Sequence, residues 1–338
     1  MEYVSGEILT KNGFEKGFLG FEKKIIVERG RGNPPKKPVC KGLITPSFVN
    51  AHTHIGDSFI RSRNIKLTSD IEELVAPSDG LKHRLLREAS DDEILDGMGK
   101  SIDTMIKAGT NCFCDFREMG VLGICQLKTA LKFWNISSVI LSRPDALIYN
   151  KNEVDLLLKN SDGIGLSSVS DWDYSEIEKI ARHTKKENKI FAFHASERIR
   201  EDISLILDLK PHFLVHMVKA EESDLIRVKE CNIPVVLCPR SNSFFGLKPD
   251  IELLKKVGIE LLLGTDNAML NSPDVLDELK YVKNMTYVFS VDELLNMITY
   301  NARKVLNLSP SILGSNSPAD FVVLDKKTLD TLYISCGK

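Results

Sequence analysis

Short apolar runs alternate with stretches of helical periodicity through most of this chain. The helical pattern of residues 91–107 leads into the apolar run 111–116, and the pattern of 126–133 leads into the run 138–141. This alternation predicts parallel strands joined by helices. Five more apolar runs, separated from one another by helical patterns, lie at 163–167, 189–194, 213–216, 234–238 and 260–264.

A further apolar run ends at His52 and brings the number of predicted strands in the middle of the chain to eight. Eight strand-helix units close naturally into a (β/α)8 barrel. An open, doubly wound sheet is the alternative, but the glycine-rich phosphate-binding fingerprint is missing after the first strand. The sequence therefore predicts an α/β protein whose residues 43–318 form a TIM-like barrel.

Both ends of the chain have a different pattern. Residues 1–42 show short alternating runs punctuated by glycines, and similar runs return at 319–325 and 329–335. This pattern is typical of strands joined by turns and contains no helical periodicity. We therefore expect residues 1–42 and 319–338 to form one small β-sandwich-like domain outside the barrel.

Composition and charge exclude several classes of protein. The 338 residues are 43% hydrophobic and 27% charged, which is typical of a globular protein with a sizeable core. The 45 basic and 47 acidic residues nearly cancel, so bulk charge favours neither nucleic acid nor an anionic membrane. No apolar stretch approaches the roughly 18 residues of a membrane span, and the first residues lack signal-peptide features. We expect a cytoplasmic protein with a small-molecule partner, and leave homo-oligomer formation open.

Polar side chains occupy the predicted carboxyl ends of the strands. His52 and His54 end the first strand one residue apart, so both imidazoles project from the same face. His194 ends the fifth strand, His216 ends the sixth, and Asp266 follows the eighth. Because these strand ends meet at one mouth of a barrel, the five side chains should form a single site.

Imidazoles combined with a carboxylate make a ligand set of intermediate hardness. Such a set suits Zn²⁺ best, with Fe²⁺ as the alternative, and a metal ion held there makes water a nucleophile. Glu197 follows the fifth strand and is placed to accept the water proton and return it to the leaving group. His216 could polarise the electrophile, orient the hydroxide or act as a further ligand.

Single residues of this set have ordinary structural explanations. A lone strand-end histidine is usually a satisfied core residue, and Asp266 could cap a helix that begins near Ser272. His83 and His183 lie in polar helical patterns, and His212 begins the sixth strand at the far end from the mouth. The coincidence of polar residues at several strand ends is what favours a functional site.

The motifs at these strand ends resemble the amidohydrolase superfamily. Within it they are most similar to the branch that contains cytosine deaminase, adenosylhomocysteine deaminase and triazine hydrolases. The match spans nearly the whole chain, and as a set the motifs are more specific for the superfamily than for the branch. They are the segments 46–54 (PSFVNAHTH), 194–197 (HASE), 238–242 (CPRSN) and 263–266 (LGTD).

The resemblance implies a role for each residue of the site. Glu197 would be the proton shuttle, His216 would lie beside the attacking water and the substrate, and Asp266 would also take a proton from that water. Binuclear relatives carry a carboxylated lysine at the end of strand four, where this chain has Ser167 and Ser168, so one metal ion is expected. The implied metal ligands are His52, His54, His194 and Asp266.

Substrate contacts are harder to infer from the sequence. Purine-handling relatives often place histidine or glutamine near the end of strand four, where Ser167 and Ser168 stand here. Arg117 and Arg143 follow strands two and three and could bind a phosphate, a carboxylate or a ribose. Asn242 is the third candidate contact, and the long stretch 55–88 should form a lid-like first loop.

The resemblance predicts a metal-dependent hydrolase that acts on carbon–nitrogen bonds other than peptide bonds. The predicted reaction is deamination of an amino-substituted N-heterocycle, a nucleobase or nucleoside derivative, with release of ammonia. Opening of a cyclic amide and hydrolysis of a halogenated ring carbon are alternatives with the same machinery. A barrel that binds metal without catalysis is disfavoured, because it has no need of the Glu197 carboxylate.

Overall fold

The computed structural model describes residues 1–77 and 79–335, so residue 78 and the last three residues of the predicted terminal domain lie outside the description. Two sheets organise the described residues: a parallel sheet in the middle of the chain and a mixed sheet built from both ends. The predicted fold class is confirmed. No helix of the described part is long and apolar enough to cross a membrane.

Eight parallel strands, each next to its neighbour in chain order, form the wall of the barrel within the described residues. They fall on the predicted apolar runs, because strands that helices cover on their outer side are buried on both faces. We number them barrel strands one to eight: Phe48–His54, Thr110–Arg117, Ser137–Ser142, Gly163–Leu166, Ile190–Ala195, Phe213–His216, Val235–Leu237 and Leu261–Leu263.

A break in barrel strand eight closes the barrel. After Gly264 and Thr265 the chain resumes as the short strand Asp266–Asn267, which pairs with barrel strand one, while the part before the break pairs with strand seven. The backbone N–H of Thr265 donates to the carbonyl of His52 at 2.9 Å. A Cβ at Gly264 would lie 2.6 Å from the Cβ of His52, so this close approach requires glycine. The closure places Asp266 beside the histidines of strand one.

The helices surround the barrel and extend its upper loops. The helix Asp91–Ala108 shows how local sequence sets their ends: Ser90 and Glu93 form a capping box, and Gly109 ends it at a φ of 100°. Short 3-10 helices lie at Ile55–Arg63 and Val169–Asp171. The α-helices are Ile71–Val75, Leu81–Glu88, Asp91–Ala108, Gly120–Leu131, Lys151–Asn160, Tyr174–Lys186, Ile203–Asp208, Glu222–Glu230, Pro239–Phe244, Ile251–Val257, Val275–Met285, Val291–Met297 and Tyr300–Val305.

The second sheet joins the two ends of the chain and is called the terminal sheet below. Its strands pair antiparallel except for Glu2–Thr10 with Cys40–Pro46, which run parallel. Phe321 and Val323 from the C-terminal side share a buried cluster with Val4 and Ile44 from the N-terminal side. In spatial order its strands are Ser317–Pro318, Ile25–Gly30, Gly13–Glu22, Glu2–Thr10, Cys40–Pro46, Phe321–Leu324 and Thr331–Ile334.

The strand Cys40–Pro46 corrects the predicted boundary between residues 42 and 43. All of it belongs to the terminal sheet, and Leu43 to Pro46 pair with Phe321–Leu324. The barrel wall starts only at Phe48, after Ser47. The apolar run is continuous across this point, so hydrophobic patterning alone does not reveal that the chain changes sheets. The strand Ser317–Pro318 likewise places the second boundary before residue 319.

Candidate active site

The polar residues predicted at the strand ends meet at one mouth of the barrel. His52 and His54 end barrel strand one, His194 lies near the end of strand five, and His216 ends strand six. Asp266 joins them through the break in strand eight. His52, His216 and Asp266 are almost fully buried, and His194 is partly exposed to the cavity above them. The cluster therefore has a closed floor and an open upper side.

Four side-chain atoms converge on one small space. Nε2 of His194 lies 3.2 Å from Nε2 of His52 and 3.4 Å from Nε2 of His54. Oδ1 of Asp266 lies 3.3 Å from Nε2 of His52 and 3.5 Å from Nε2 of His54. Two tetrahedral zinc ligands, each about 2.0–2.1 Å from the metal, are about 3.3–3.4 Å apart. The spacing therefore fits a single ion.

The second ring nitrogens determine how two of these histidines are oriented. Nδ1 of His194 lies 2.8 Å from the carbonyl oxygen of Leu166 and is therefore assigned its proton. Nδ1 of His54 lies 2.8 Å from Oε1 of Glu118. Burial lowers the pKa of His54 to about 4 and holds the pKa of His194 well below its usual range. Both rings are thus neutral with their Nε2 lone pairs turned inward, as metal ligation requires.

Asn242 connects His216 to Glu197. Its side-chain Nδ2 donates to Oε1 of Glu197 at 2.8 Å and contacts Nδ1 of His216 at 3.2 Å. His216 therefore accepts at Nδ1 and carries its proton on Nε2, which lies 3.4 Å from Oε2 of Glu197. Ligand atoms of His52, His194, His216 and Asp266 also lie within 4.8 Å of one another. The hydrogen bond from Asn242 nevertheless favours His216 as a donor to the cavity.

Two carboxyl groups of the site, the buried Asp266 and the largely buried Glu197, have opposite protonation tendencies. Burial, together with the charge of Asp266, raises the pKa of Glu197 well above its usual range. Burial also raises the pKa of Asp266, but His52 and His216 outweigh it and hold that pKa well below the usual value. Ser241 donates to Oδ2 of Asp266 at 2.5 Å. Two carboxyl groups whose pKa values are pushed apart provide an acid and a base at one pH.

The backbone is strained at the ends of three barrel strands that carry site residues. Ser196, His216, Met217 and Asp266 have positive φ angles of 46°, 78°, 54° and 59°. Residues other than glycine rarely adopt this region, and each instance costs on the order of 1–3 kcal/mol. The turns after strands five, six and eight thus aim site residues into the mouth at a cost in stability that the barrel core offsets.

A cavity of about 130 Å³ opens above the cluster. His54, His194, Glu197, His216 and Asp266 form its lower wall. The predicted first loop forms much of the opposite side through residues of the helix Ile71–Val75 and the segment that follows it. The side chains toward strands three and four are Arg143, Ser167, Ser168 and Asp171.

Sequence comparison decides the family. A model of the amidohydrolase family matches residues 43–335, which is most of the chain. This chain belongs to the amidohydrolase family. The family assignment predicted from the strand-end motifs is therefore confirmed.

Three known proteins show how far the similarity to this amidohydrolase extends. An uncharacterised protein of Methanocaldococcus jannaschii is 33% identical, covering 98% of this chain and 91% of its own length. A 5-methylthioadenosine/S-adenosylhomocysteine deaminase of Caldicellulosiruptor saccharolyticus is 26% identical, and the match covers 98% of this chain and 82% of that protein. The structure of Helicobacter pylori aminofutalosine deaminase with methylthio-coformycin gives a TM-score of 0.72, and the superposition covers 96% of this chain and 92% of that one. At 18% identity, that last likeness shows the shared fold alone.

Membership of the family makes this amidohydrolase a hydrolase that depends on a divalent metal ion. The converging nitrogen and oxygen atoms of the cluster fit such an ion, because neutral imidazoles and a carboxylate repel one another less once a cation lies between them. The cation would also explain why the Nε2 atoms of His54 and His194, neither of which carries a proton, are held 3.4 Å apart.

The three residues predicted to contact substrate have different positions in this amidohydrolase. Arg143 lines the cavity, and its Nη2 lies 3.4 Å from Nε2 of His83. Arg117 is fully buried, donates to Glu118 at 2.8 Å and packs against Gly56, so it cannot reach a ligand in the cavity. Asn242 lies behind Glu197, which it orients. Arg117 and Asn242 are thus supporting residues rather than cavity contacts.

Sequence reasoning missed three residues of the site. Glu118 follows barrel strand two directly, so the same strand-end rule that selected the histidines could have found it. Lys82 and His83 lie on the helix Leu81–Glu88, and His83 had been set aside because its helical pattern is polar. Both are buried and line the cavity. The structural alternative for Asp266, a helix cap, is excluded, since Asp274 caps Val275–Met285.

Proposed function

We propose that this amidohydrolase is a hydrolytic deaminase that removes the amino group of an N-heterocycle and releases ammonia. The observation that carries the proposal is the arrangement around Glu197: a largely buried carboxyl group, oriented by Asn242, beside His216 and next to the converging histidines. This arrangement places a proton-transfer group and a metal site on the same side of one cavity. The deaminase function of the 26% identical relative supports the same reaction.

The metal ligands are proposed to be the side chains of barrel strands one, five and eight, and zinc is the preferred ion because imidazole and carboxylate ligands suit it. The neutral, inward-facing Nε2 atoms of His54 and His194 support this set, while the proton on Nε2 of His216 speaks against that residue as a ligand. A divalent ion held there would supply Lewis acidity, which makes water nucleophilic near neutral pH. The ligands would be His52, His54, His194 and Asp266.

Proton transfers in the reaction are assigned to the chain's own side chains. Asp266, kept ionised by the histidines around it, accepts a proton from the attacking water. Glu197, whose pKa is raised, protonates the ring nitrogen as water adds to the amino-bearing carbon. His216 donates a hydrogen bond from Nε2 to the oxygen of the adduct. Asp266 then passes its proton to the amino group, the carbon–nitrogen bond breaks, and the hydroxyl proton of the adduct returns to Glu197, so that ammonia and the oxo-heterocycle are released.

The proposed substrate class is a nucleobase or nucleoside derivative that carries an exocyclic amino group. A cavity of about 130 Å³ over the cluster supports a compact ring as the reacting part. Ser167 and Ser168 offer small hydroxyl groups on the strand-four side, and Arg143 adds a positive charge. The cyclic-amide and halogenated-carbon alternatives use the same proton shuttle and differ in the leaving group.

Product release from a substrate panel tests this function. We expect the zinc-loaded protein to release ammonia from at least one aminated purine, pyrimidine or nucleoside, measured by a coupled ammonia assay and by mass spectrometry of the ring product. Matched cyclic amides and chlorinated heterocycles form the other arms of the panel. Release of chloride without ammonia would indicate hydrolysis of a halogenated carbon instead of deamination, and a ring-opened product without ammonia would indicate hydrolysis of a cyclic amide. Absence of turnover in every arm would contradict an enzymatic function.

The metal content is expected to be about one ion per chain. The end of barrel strand four carries Ser167 and Ser168 and so offers no lysine that could bridge a second ion. Inductively coupled plasma mass spectrometry of protein purified with zinc or iron in the medium measures both the stoichiometry and the metal. Two tightly held ions per chain would contradict the mononuclear centre. Cytoplasmic location and homo-oligomer formation stay predictions.

A further inference from the structure

A lysine from the first loop reaches the base of the candidate metal centre. Lys82 lies on the helix Leu81–Glu88 and is 2% exposed. Its Nζ lies 2.6 Å from Oε1 of Glu118, 2.8 Å from Oδ1 of Asn267 and 3.3 Å from Oδ2 of Asp57. Burying an ammonium group is costly unless such partners compensate it. The contacts tie the first loop to the ends of barrel strands two and eight.

Glu118 lies between this lysine and a histidine of the cluster. Its Oε1 is shared by Lys82 and Nδ1 of His54, the latter at 2.8 Å. Its Oε2 accepts from Nη2 of Arg117, also at 2.8 Å. Each oxygen of the carboxylate thus contacts a cation, and Oε1 also lies beside the outer nitrogen of His54. A carboxylate in this position fixes the tautomer of a metal-binding imidazole and increases its basicity.

Arg117, which contacts Glu118, is connected through Asp115 to the end of the first barrel strand. Asp115, whose Oδ1 lies 3.5 Å from Nη1 of Arg117, accepts hydrogen bonds from the backbone of Ile55 at 2.8 Å and from Oγ1 of Thr53 at 2.9 Å. These residues flank His54 on both sides. The end of strand one is therefore held by the same buried network that positions Glu118.

We propose that Glu118 and Lys82 are positioning residues of the metal centre: Glu118 holds His54 with its Nε2 lone pair inward, and Lys82 holds Glu118. Because Lys82 is carried by the first loop, the order of the metal site depends on that loop being seated over the barrel. The proposal rests on the metal centre of the proposed function but not on the identity of the substrate.

A purely structural ion pair is the competing explanation, and a double-variant cycle separates the two. The single variants Lys82→Met and Glu118→Gln each remove one ion-pair partner from a buried charge and should lower the free energy of unfolding of the metal-free protein. The double variant removes one charge of each sign, so we expect its stability to recover relative to the single variants. Urea unfolding of the metal-free proteins measures this part.

Zinc affinity separates the two explanations, because removing an ion pair with a purely structural role would leave that affinity unchanged. We expect zinc to bind roughly 10–100-fold more weakly to Glu118→Gln and to the double variant, the usual cost of removing such a partner from a metal-bound histidine, and also more weakly to Lys82→Met, in which Glu118 loses one of its two cations. Competition with a chromogenic chelator measures the affinity. The control is Lys107→Met, which removes an exposed lysine whose Nζ lies 2.6 Å from Asp103, and it should bind zinc as the unmodified protein does.

The outcomes distinguish this proposal from the metal centre on which it rests. A double variant that recovers stability and binds zinc as tightly as the unmodified protein overturns the positioning role while leaving the metal centre intact. An unmodified protein that binds no zinc, iron or cobalt under any loading condition overturns the metal centre and, with it, the positioning role. Weaker zinc binding in Lys82→Met as well as in both Glu118 variants, with stability restored in the double variant, supports the proposal, and normal zinc binding by Lys82→Met overturns the role of Lys82.

Discussion

Replacing Glu197 by glutamine is expected to lower turnover by about 10² or more while leaving the metal content unchanged. Glutamine keeps the shape of the side chain and can still accept the hydrogen bond from Asn242, which is 2.8 Å long in the structure. It cannot donate and recover a proton, so only the transfer step is lost. Steady-state rates on the substrate that the panel identifies, together with metal analysis of the same samples, measure both effects.

Glu201 provides the matched control for Glu197→Gln. It lies on the same loop, is buried, and accepts hydrogen bonds from the backbone of Ser170 and Ser196, so it supports the loop without lining the cavity. Glu201→Gln should affect stability more than the chemical step. A Glu197→Gln protein that turns over at the normal rate would refute the shuttle assignment and leave the metal centre standing.

Replacing His194 by alanine is expected to strip the metal ion from the protein. His194 contributes the nitrogen that lies close to both histidines of strand one, at 3.2 and 3.4 Å. Loss of one ligand of four should cost more than the roughly 10–100-fold that accompanies loss of a residue supporting a ligand. Metal analysis after dialysis measures this loss, and turnover with and without added zinc measures its effect on activity.

His212 is the control for this experiment. It is exposed, lies before barrel strand six, and accepts a hydrogen bond from the backbone of Phe191 at 3.1 Å. His212→Ala should therefore retain its metal. Full metal occupancy in His194→Ala, with unchanged activity, would mean that the ion is held elsewhere, and the grouping of His216 with His52 and Asp266 would then be the next set to test.

The histidines of the candidate site were predictable because two local rules meet at them. Strand patterning locates each apolar run, and the barrel rule places chemistry at the carboxyl ends. His52 and His194 satisfy both rules without any knowledge of tertiary contacts. Glu118 also satisfies them, but a single acidic residue after Arg117 gives no signal of its own until the partners Lys82 and His54 are seen around it.

The substrate side of the cavity was less predictable, because it depends on long-range packing. Arg117 and Arg143 look equivalent in the sequence, each following a barrel strand. In the structure Arg117 points into the buried network around Glu118, and Arg143 lines the cavity. Which of two strand-end arginines faces a ligand depends on where charges from distant segments lie, and local pattern does not contain that information.

By itself the sequence determined the barrel, the family and the residues that converge at its mouth, because each of these follows from periodicity along the chain or from motifs within a few residues. Tertiary structure alone decided the passage from the terminal sheet to the barrel at Ser47, the closure through Gly264, and the union of Lys82, Glu118 and His54. These features depend on segments far apart in the chain. A buried charge is stable only where groups of opposite charge or hydrogen-bonding groups lie beside it, and here the fold brings those groups together from distant segments.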